Sequence, residues 1–113
     1  MTKEEKRQFR RSSTWSRFRQ KMRIKFDKKD YITGKELLRT WNLHHLDMND
    51  KNYTDLSKPD KFIPLNKDTH EFIHWLFRLY RHDKDVLRRI KLVMDMMLLY
   101  NPPRKRHEVR EDD

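Results

Sequence analysis

The sequence predicts an α+β domain, mostly helical, in which a two-stranded hairpin and the helix after it are flanked by N- and C-terminal helices. Three observations carry that expectation. Apolar residues recur at helical spacing around Trp15, again beyond residue 70, and again beyond residue 85. Two short apolar runs, "TWNLHHL" and "FIPL", bracket the polar stretch "DMNDKNYTDLSKPD", the order of strand, loop and strand. And among 113 residues there is one glycine, so breaks between elements must come mostly from Asn, Asp, Ser and Pro.

Taken in order, residues 1–11 read as a frayed basic arm. Ser12, Ser13 and Thr14 offer N-caps to a helix in which Trp15, Phe18 and Met22 recur at i, i+3, i+7, with Arg17, Arg19, Lys21 and Arg23 on its outer face. Thr33-Gly34 marks a turn, and Gly34 is expected at positive φ. "TWNLHHL" is expected as a strand, and "FIPL" as its return strand, with Pro64 confining that strand to a sheet edge. Asn66 or Asp68 can cap a helix running to about Arg81, with an apolar stripe of Phe72, Trp75, Leu76 and Leu79. His70 and His74 lie nearly opposite that stripe, at about 100° per residue. A last helix begins near Asp83 or Asp85 and stops at Asn101-Pro102-Pro103. Its Met94, Met96 and Met97 read as core filling, and Trp15, Trp41 and Trp75 as core anchors. The organisation expected is therefore an arm over 1–11, a single domain over 12–101 with its hairpin-and-helix core at about 31–81, and a mobile charged tail over 102–113.

Charge narrows the partners. Only 35% of residues are apolar and 41% are charged, a balance that leans towards disorder, but an aromatic content of 12% supplies anchors for a core. The net charge of +10 is concentrated: residues 1–30 hold twelve Lys and Arg against four Asp and Glu. Such a surplus favours polyanions, because each phosphate neutralised releases condensed counterions. The absence of cysteine removes disulfides, thiolate zinc sites and thiol catalysis. The charged N-terminus does not resemble a signal peptide, and no apolar run approaches a membrane span. An intracellular protein with no membrane partner is expected.

Four of the six histidines fall between residues 44 and 74. In "HEFIH", His70 and His74 stand four apart, which on a helix puts both imidazoles on one face, close enough to share a metal ion. Two solvated side chains are the commoner outcome of that spacing. His44 and His45 are neighbours on the expected strand, so they point to opposite faces and cannot readily share one ion. One of them can join the helical pair while the other stays free beside it. A free imidazole next to a metal-bound phosphate suits general-base hydrolysis, since it titrates near neutrality.

The strand–loop–strand–helix order, with "ITGKEL", "LHHLD" and "FIPLNKDTHEFIH", resembles the HNH endonucleases, or ββα-metal nucleases, over about residues 31–77. The upstream basic helix with its Trp, "STWSRFRQKM", is similar to that of phage and mobile-element members. The resemblance implies His44, His70 and His74 as metal ligands, with His74 alternatively a phosphate contact, and His45 as the base that activates water. It implies one divalent ion, Mg²⁺, Mn²⁺, Ni²⁺ or Zn²⁺. It implies DNA as substrate, held by its phosphates with little sequence preference, and a bacterial cytoplasm if the chain is phage-encoded. Two departures stand out. The paired cysteines of many members are absent. The middle Asn of the motif, which orients the base, is replaced at its usual position by Lys61. Asn66 is then the asparagine available for that role from a shifted position, with a helix N-cap as its competing role. Lys61, Arg17, Arg19, Lys21 and Arg23 are the expected nucleic-acid contacts, a solvated helix face being the alternative for the four on the helix. Two other functions fit the same residues: a nucleic-acid-binding or adaptor protein that kept the scaffold without the chemistry, and a structural zinc module.

Overall fold

The structure is a computed structural model describing residues 1–104, and it is α+β as the sequence predicts. Among the described residues it has four helices and one two-stranded antiparallel sheet: α1 (Lys3–Arg10), α2 (Ser13–Lys25), β1 (Asn42–His45), β2 (Phe62–Leu65), α3 (Lys67–Tyr80) and α4 (Val86–Tyr100). Two compact units divide the chain, Met1–His74 and Trp75–Asp113. From residue 105 on, the charged tail expected over 102–113 lies outside the described residues.

In the first unit the expected frayed arm is instead a helix. Thr2 accepts from the Glu5 amide at 3.1 Å while the Glu5 carboxylate accepts from the Thr2 amide at 3.4 Å, a reciprocal capping box. The signal was in the sequence: "TKEE" has the Thr-x-x-Glu spacing of that box. Ser12 caps α2 by accepting from the Trp15 amide, as its position suggests. The stripe of α2 then faces inward, and Met22 is fully buried with Leu37, Trp41, Leu43 and Phe62, while Trp15, Phe18, Phe26 and Leu56 close the edges. Phe62 is the hub, with the Phe18 ring edge-on at 4.9 Å and Trp15 at 6.3 Å. Burial of such aromatic and aliphatic side chains is the main favourable contribution to folding.

Between α2 and β1 the chain turns twice. Asp27 and Lys28 adopt positive φ, 60° and 58°, at the end of α2, a strain that polar residues tolerate better than β-branched ones. Gly34 then sits at φ 68°, as expected of the only glycine. The hairpin pairs Asn42 with Leu65, Leu43 with Pro64, His44 with Ile63 and His45 with Phe62. In a two-stranded sheet every strand is an edge, which is why Pro64 is tolerated. The loop between them is held by its own carboxylates: Asp47 accepts from the Asn49 amide and the Asn52 side chain, and Asp55 from the Ser57 amide.

In the second unit, the end of α3 carries Phe77 edge-on to Tyr80, with the Arg81 guanidinium 5.1 Å from the Phe77 ring. Asp83 accepts from Arg89, and α4 ends at Asn101 before the two prolines. Two expectations are corrected here. Met94, Met96 and Met97 are each more than half exposed, not core filling. The apolar stripe of α3 is likewise open, with Phe72, Trp75 and Leu79 about half exposed, so Trp75 is no core anchor. Periodicity identifies the residues that share a face but not the face that is covered.

Candidate metal centre and its cleft

The helix that brings two of the histidines is fixed at its start by a buried carboxylate. Asp30, 1% exposed, accepts from the Ile32 and Thr33 amides through one oxygen and from the Asn66 amide through the other. Burial alone would raise the Asp30 pKa, but the amides of Thr33 and Asn66, the Thr69 side chain and the Ile32 amide outweigh it and the net shift is downward. One side chain thus ties the 31–34 turn to the first turn of α3. Asn66 adds a second tie: its side-chain oxygen accepts from the Leu38 amide at 2.7 Å and its amide nitrogen donates to the Glu36 carbonyl at 3.0 Å. These contacts correct the expectation that Asn66 orients His45. Its side chain is engaged with residues 36–38, and only its backbone carbonyl serves α3, accepting from the His70 amide.

So anchored, α3 turns His70 and His74 onto β1, where His44 is 7% exposed. His70 Nε2 lies 3.2 Å from His44 Nδ1 and 3.0 Å from His74 Nε2. One nitrogen from each of the three rings lies within 4.8 Å of the others. The structure therefore unites the strand histidine with the helical pair, and leaves His45 out of the group.

This arrangement can be tested against what the nitrogens need. A neutral imidazole nitrogen offers in its ring plane either one proton or one lone pair. His70 Nε2 faces two neighbours at hydrogen-bond distance and cannot pair fully with both. A cation accepts lone pairs from all three. Tetrahedral zinc, with bonds of about 2.0–2.1 Å, spaces its ligand atoms roughly 3.3 Å apart, close to the two separations at His70 Nε2. Two of the rings are biased towards the neutral form: desolvation, then the neighbouring His70, His74 and His45, push His44 down to about 4, and desolvation and His74 lower His70. Neutral imidazole is the ligating form. The donor set fits one divalent ion, and all-imidazole ligation suits zinc or nickel better than magnesium.

The three histidines lie on the wall of a cleft of about 490 Å³ within the first unit. His45 lines the same cleft from the next position of β1, its ring stacked on Phe62 at 4.2 Å and 17°. Burial lowers the His45 pKa, Asp47 opposes, Lys61 lowers it further and Asp55 opposes; the net is downward. Lys61 itself pairs with Asp47 at 3.4 Å. The pair is partly exposed and sets the Lys61 ammonium beside His45.

The α2 cations divide. Arg17 and Lys21 are exposed, Arg23 is half-buried, and none of the three lines the cleft. Arg19 does line it, but donates to the Trp41 carbonyl at 2.6 Å with its guanidinium 3.9 Å from the Trp41 ring centre. It braces the core and is not free for a phosphate. The cations that sequence reasoning missed are Lys6 and Arg10, which reach the cleft from α1. The capping box was the available signal, since a helix at 3–10 puts residues four apart on one face.

Comparison of the chain with family models, with curated proteins and with solved structures gives no match. No helix among the described residues is long and apolar enough to cross a membrane.

Proposed function

We propose that the chain is a metal-dependent DNA endonuclease of the HNH type, hydrolysing phosphodiester bonds with His45 as general base. One observation carries the reading: three imidazole nitrogens converge within 4.8 Å on the wall of a cleft that a fourth histidine also lines. His44, His70 and His74 would hold one divalent ion. When bound, such an ion supplies charge to the phosphoryl oxygen and stabilises the departing oxygen. His45 would take the proton of the attacking water, a role that requires it neutral at working pH, and its lowered pKa favours that form. Stacking on Phe62 restricts the ring's orientation. An intracellular setting with DNA as partner, bacterial if the chain is phage-encoded, belongs to this reading.

A second reading, a DNA-binding or adaptor protein with weak chemistry or none, is favoured by one observation. Lys61 stands at the usual place of the base-orienting Asn, and the side chain of Asn66 is engaged with residues 36–38. Nicking of supercoiled plasmid with Mg²⁺, Mn²⁺, Ni²⁺ and Zn²⁺ in turn separates the two. The endonuclease reading expects metal-dependent nicking that falls about 10²- to 10⁴-fold in His45→Ala, the usual contribution of a general base. Folded protein that nicks under no ion would leave the binding reading.

A further inference from the structure

Helix α1 has an acidic complement that is already engaged. Glu5 closes the capping box and Glu4 pairs with Arg7 at 3.2 Å. Lys6, Phe9 and Arg10, at i, i+3 and i+4, share the face that lines the histidine cleft. Phe9 seats that face against Tyr53 at 5.9 Å and Trp15 at 5.7 Å. The two cations are then held by the loop after β1: Lys6 Nζ lies 2.8 Å from Asp50 and 5.0 Å from the Tyr53 ring centre, and Arg10 donates to the Tyr53 hydroxyl at 3.2 Å. Among the described residues Arg10 makes no ion pair, so its guanidinium keeps a full charge and most of its donors for a bidentate anion. The Lys6–Asp50 pair is partly exposed, 27% and 55% by side chain. Such a contact orients the ammonium without neutralising it strongly, and a phosphate can displace the carboxylate.

We propose that Lys6 and Arg10 form a clamp on the cleft for backbone phosphates of a nucleic-acid strand, gripping phosphates that flank the one presented to the histidines. The identity of the strand rests on the endonuclease reading; the clamp does not need the metal. α1 thereby becomes part of the substrate-binding wall, and Tyr53 positions the Arg10 guanidinium.

The test is fluorescence anisotropy of a labelled duplex with the full chain in EDTA across a salt series. It compares wild type, the pair Lys6→Ala with Arg10→Ala, the charge-keeping pair Lys6→Arg with Arg10→Lys, and Arg7→Ala. Arg7→Ala removes a charge from the same helix away from the cleft. Without the two cations that grip phosphate, the alanine pair is expected to bind roughly 10- to 100-fold more weakly at about 0.1 M salt, and its log–log salt slope to fall by about 1.8. The charge-keeping pair should bind within a few-fold of wild type, and Arg7→Ala should leave the slope unchanged. Wild-type affinity in the alanine pair would overturn the proposal. So would a charge-keeping pair as weak as the alanine pair, since that points to packing of α1, and so would a wild type with no salt-dependent affinity. Nicking is read separately. Protein that nicks although the alanine pair binds normally refutes the clamp and leaves the endonuclease standing. The expected binding contrast in protein that never nicks keeps the clamp and removes the endonuclease.

Discussion

Asp30 ties the 31–34 turn to the start of the helix that carries two of the ligands, and its replacement has a magnitude that follows from its contacts. Its two oxygens accept three backbone amides, from Ile32, Thr33 and Asn66, at 2.8–2.9 Å, and the side chain is 1% exposed. Asp30→Ala leaves those donors without partners in a place water reaches poorly. Each unsatisfied donor costs about 1–3 kcal/mol, and with partial relaxation the expected loss is about 3–5 kcal/mol. That is a large fraction of the roughly 5–15 kcal/mol that holds a domain together. Asp30→Asn keeps one acceptor oxygen and should lose about half as much. The pH dependence has a definite sign. The Asp30 pKa is lowered in the fold, so the unfolded chain binds its proton first on acidification. The stability it contributes is complete above the ordinary aspartate value of 3.8 and is lost as pH falls from there through the folded value. Urea unfolding at pH 7 and at pH 3 measures both effects. Asp30→Ala within about 1 kcal/mol of wild type at pH 7 would refute the anchoring role described for α3, and an acid limb unchanged in Asp30→Asn would refute the electrostatic part.

Three further outcomes are expected. In metal-free protein the folded value of about 4 for His44, against 6.5 ordinarily, means the unfolded chain gains a proton that the fold refuses. Stability should therefore fall as pH drops from about 6.5 to about 4, by on the order of 2 kcal/mol after discounting for solvent, and urea midpoints of His44→Leu should lose that dependence. Arg19→Ala removes a charged donor to a buried tryptophan's carbonyl and a cation over its ring; thermal melts should register about 2 kcal/mol of lost stability. Gly34→Ala meets no atom within 4 Å and only the positive φ of 68° opposes it, so denaturant unfolding should give about 1 kcal/mol and no more.

The parts of this fold legible from sequence are those encoded locally. Ser12 before Trp15, the short apolar run around Leu43, the lone glycine at the turn and the prolines after Asn101 each act through neighbours in the chain, and each element stands near where those signals put it. His44 joins His70 and His74 because a strand separates neighbouring side chains and a helix aligns fourth neighbours. What was not legible is tertiary. Asp30 reaches Asn66 across 36 residues, and nothing in "DKKDYITG" distinguishes that carboxylate from Asp27. Asn66 had two local roles on offer and serves a third, holding residues 36–38. The stripe of α3 had the right period, but the imidazole face is the one packed on β1, while Phe72 remains about half exposed. Arg19 reads like its neighbours on α2, and only the Trp41 ring beneath it sets it apart.

Three imidazole nitrogens shaped for one cation are the central claim, and calorimetric titration of the metal-free protein with Zn²⁺ near pH 7.5 tests it most directly. The predicted result is one ion per chain, with heat and stoichiometry preserved in His45→Ala and lost in His70→Ala. Absence of binding by folded wild-type protein, or binding undiminished in His70→Ala, would contradict it.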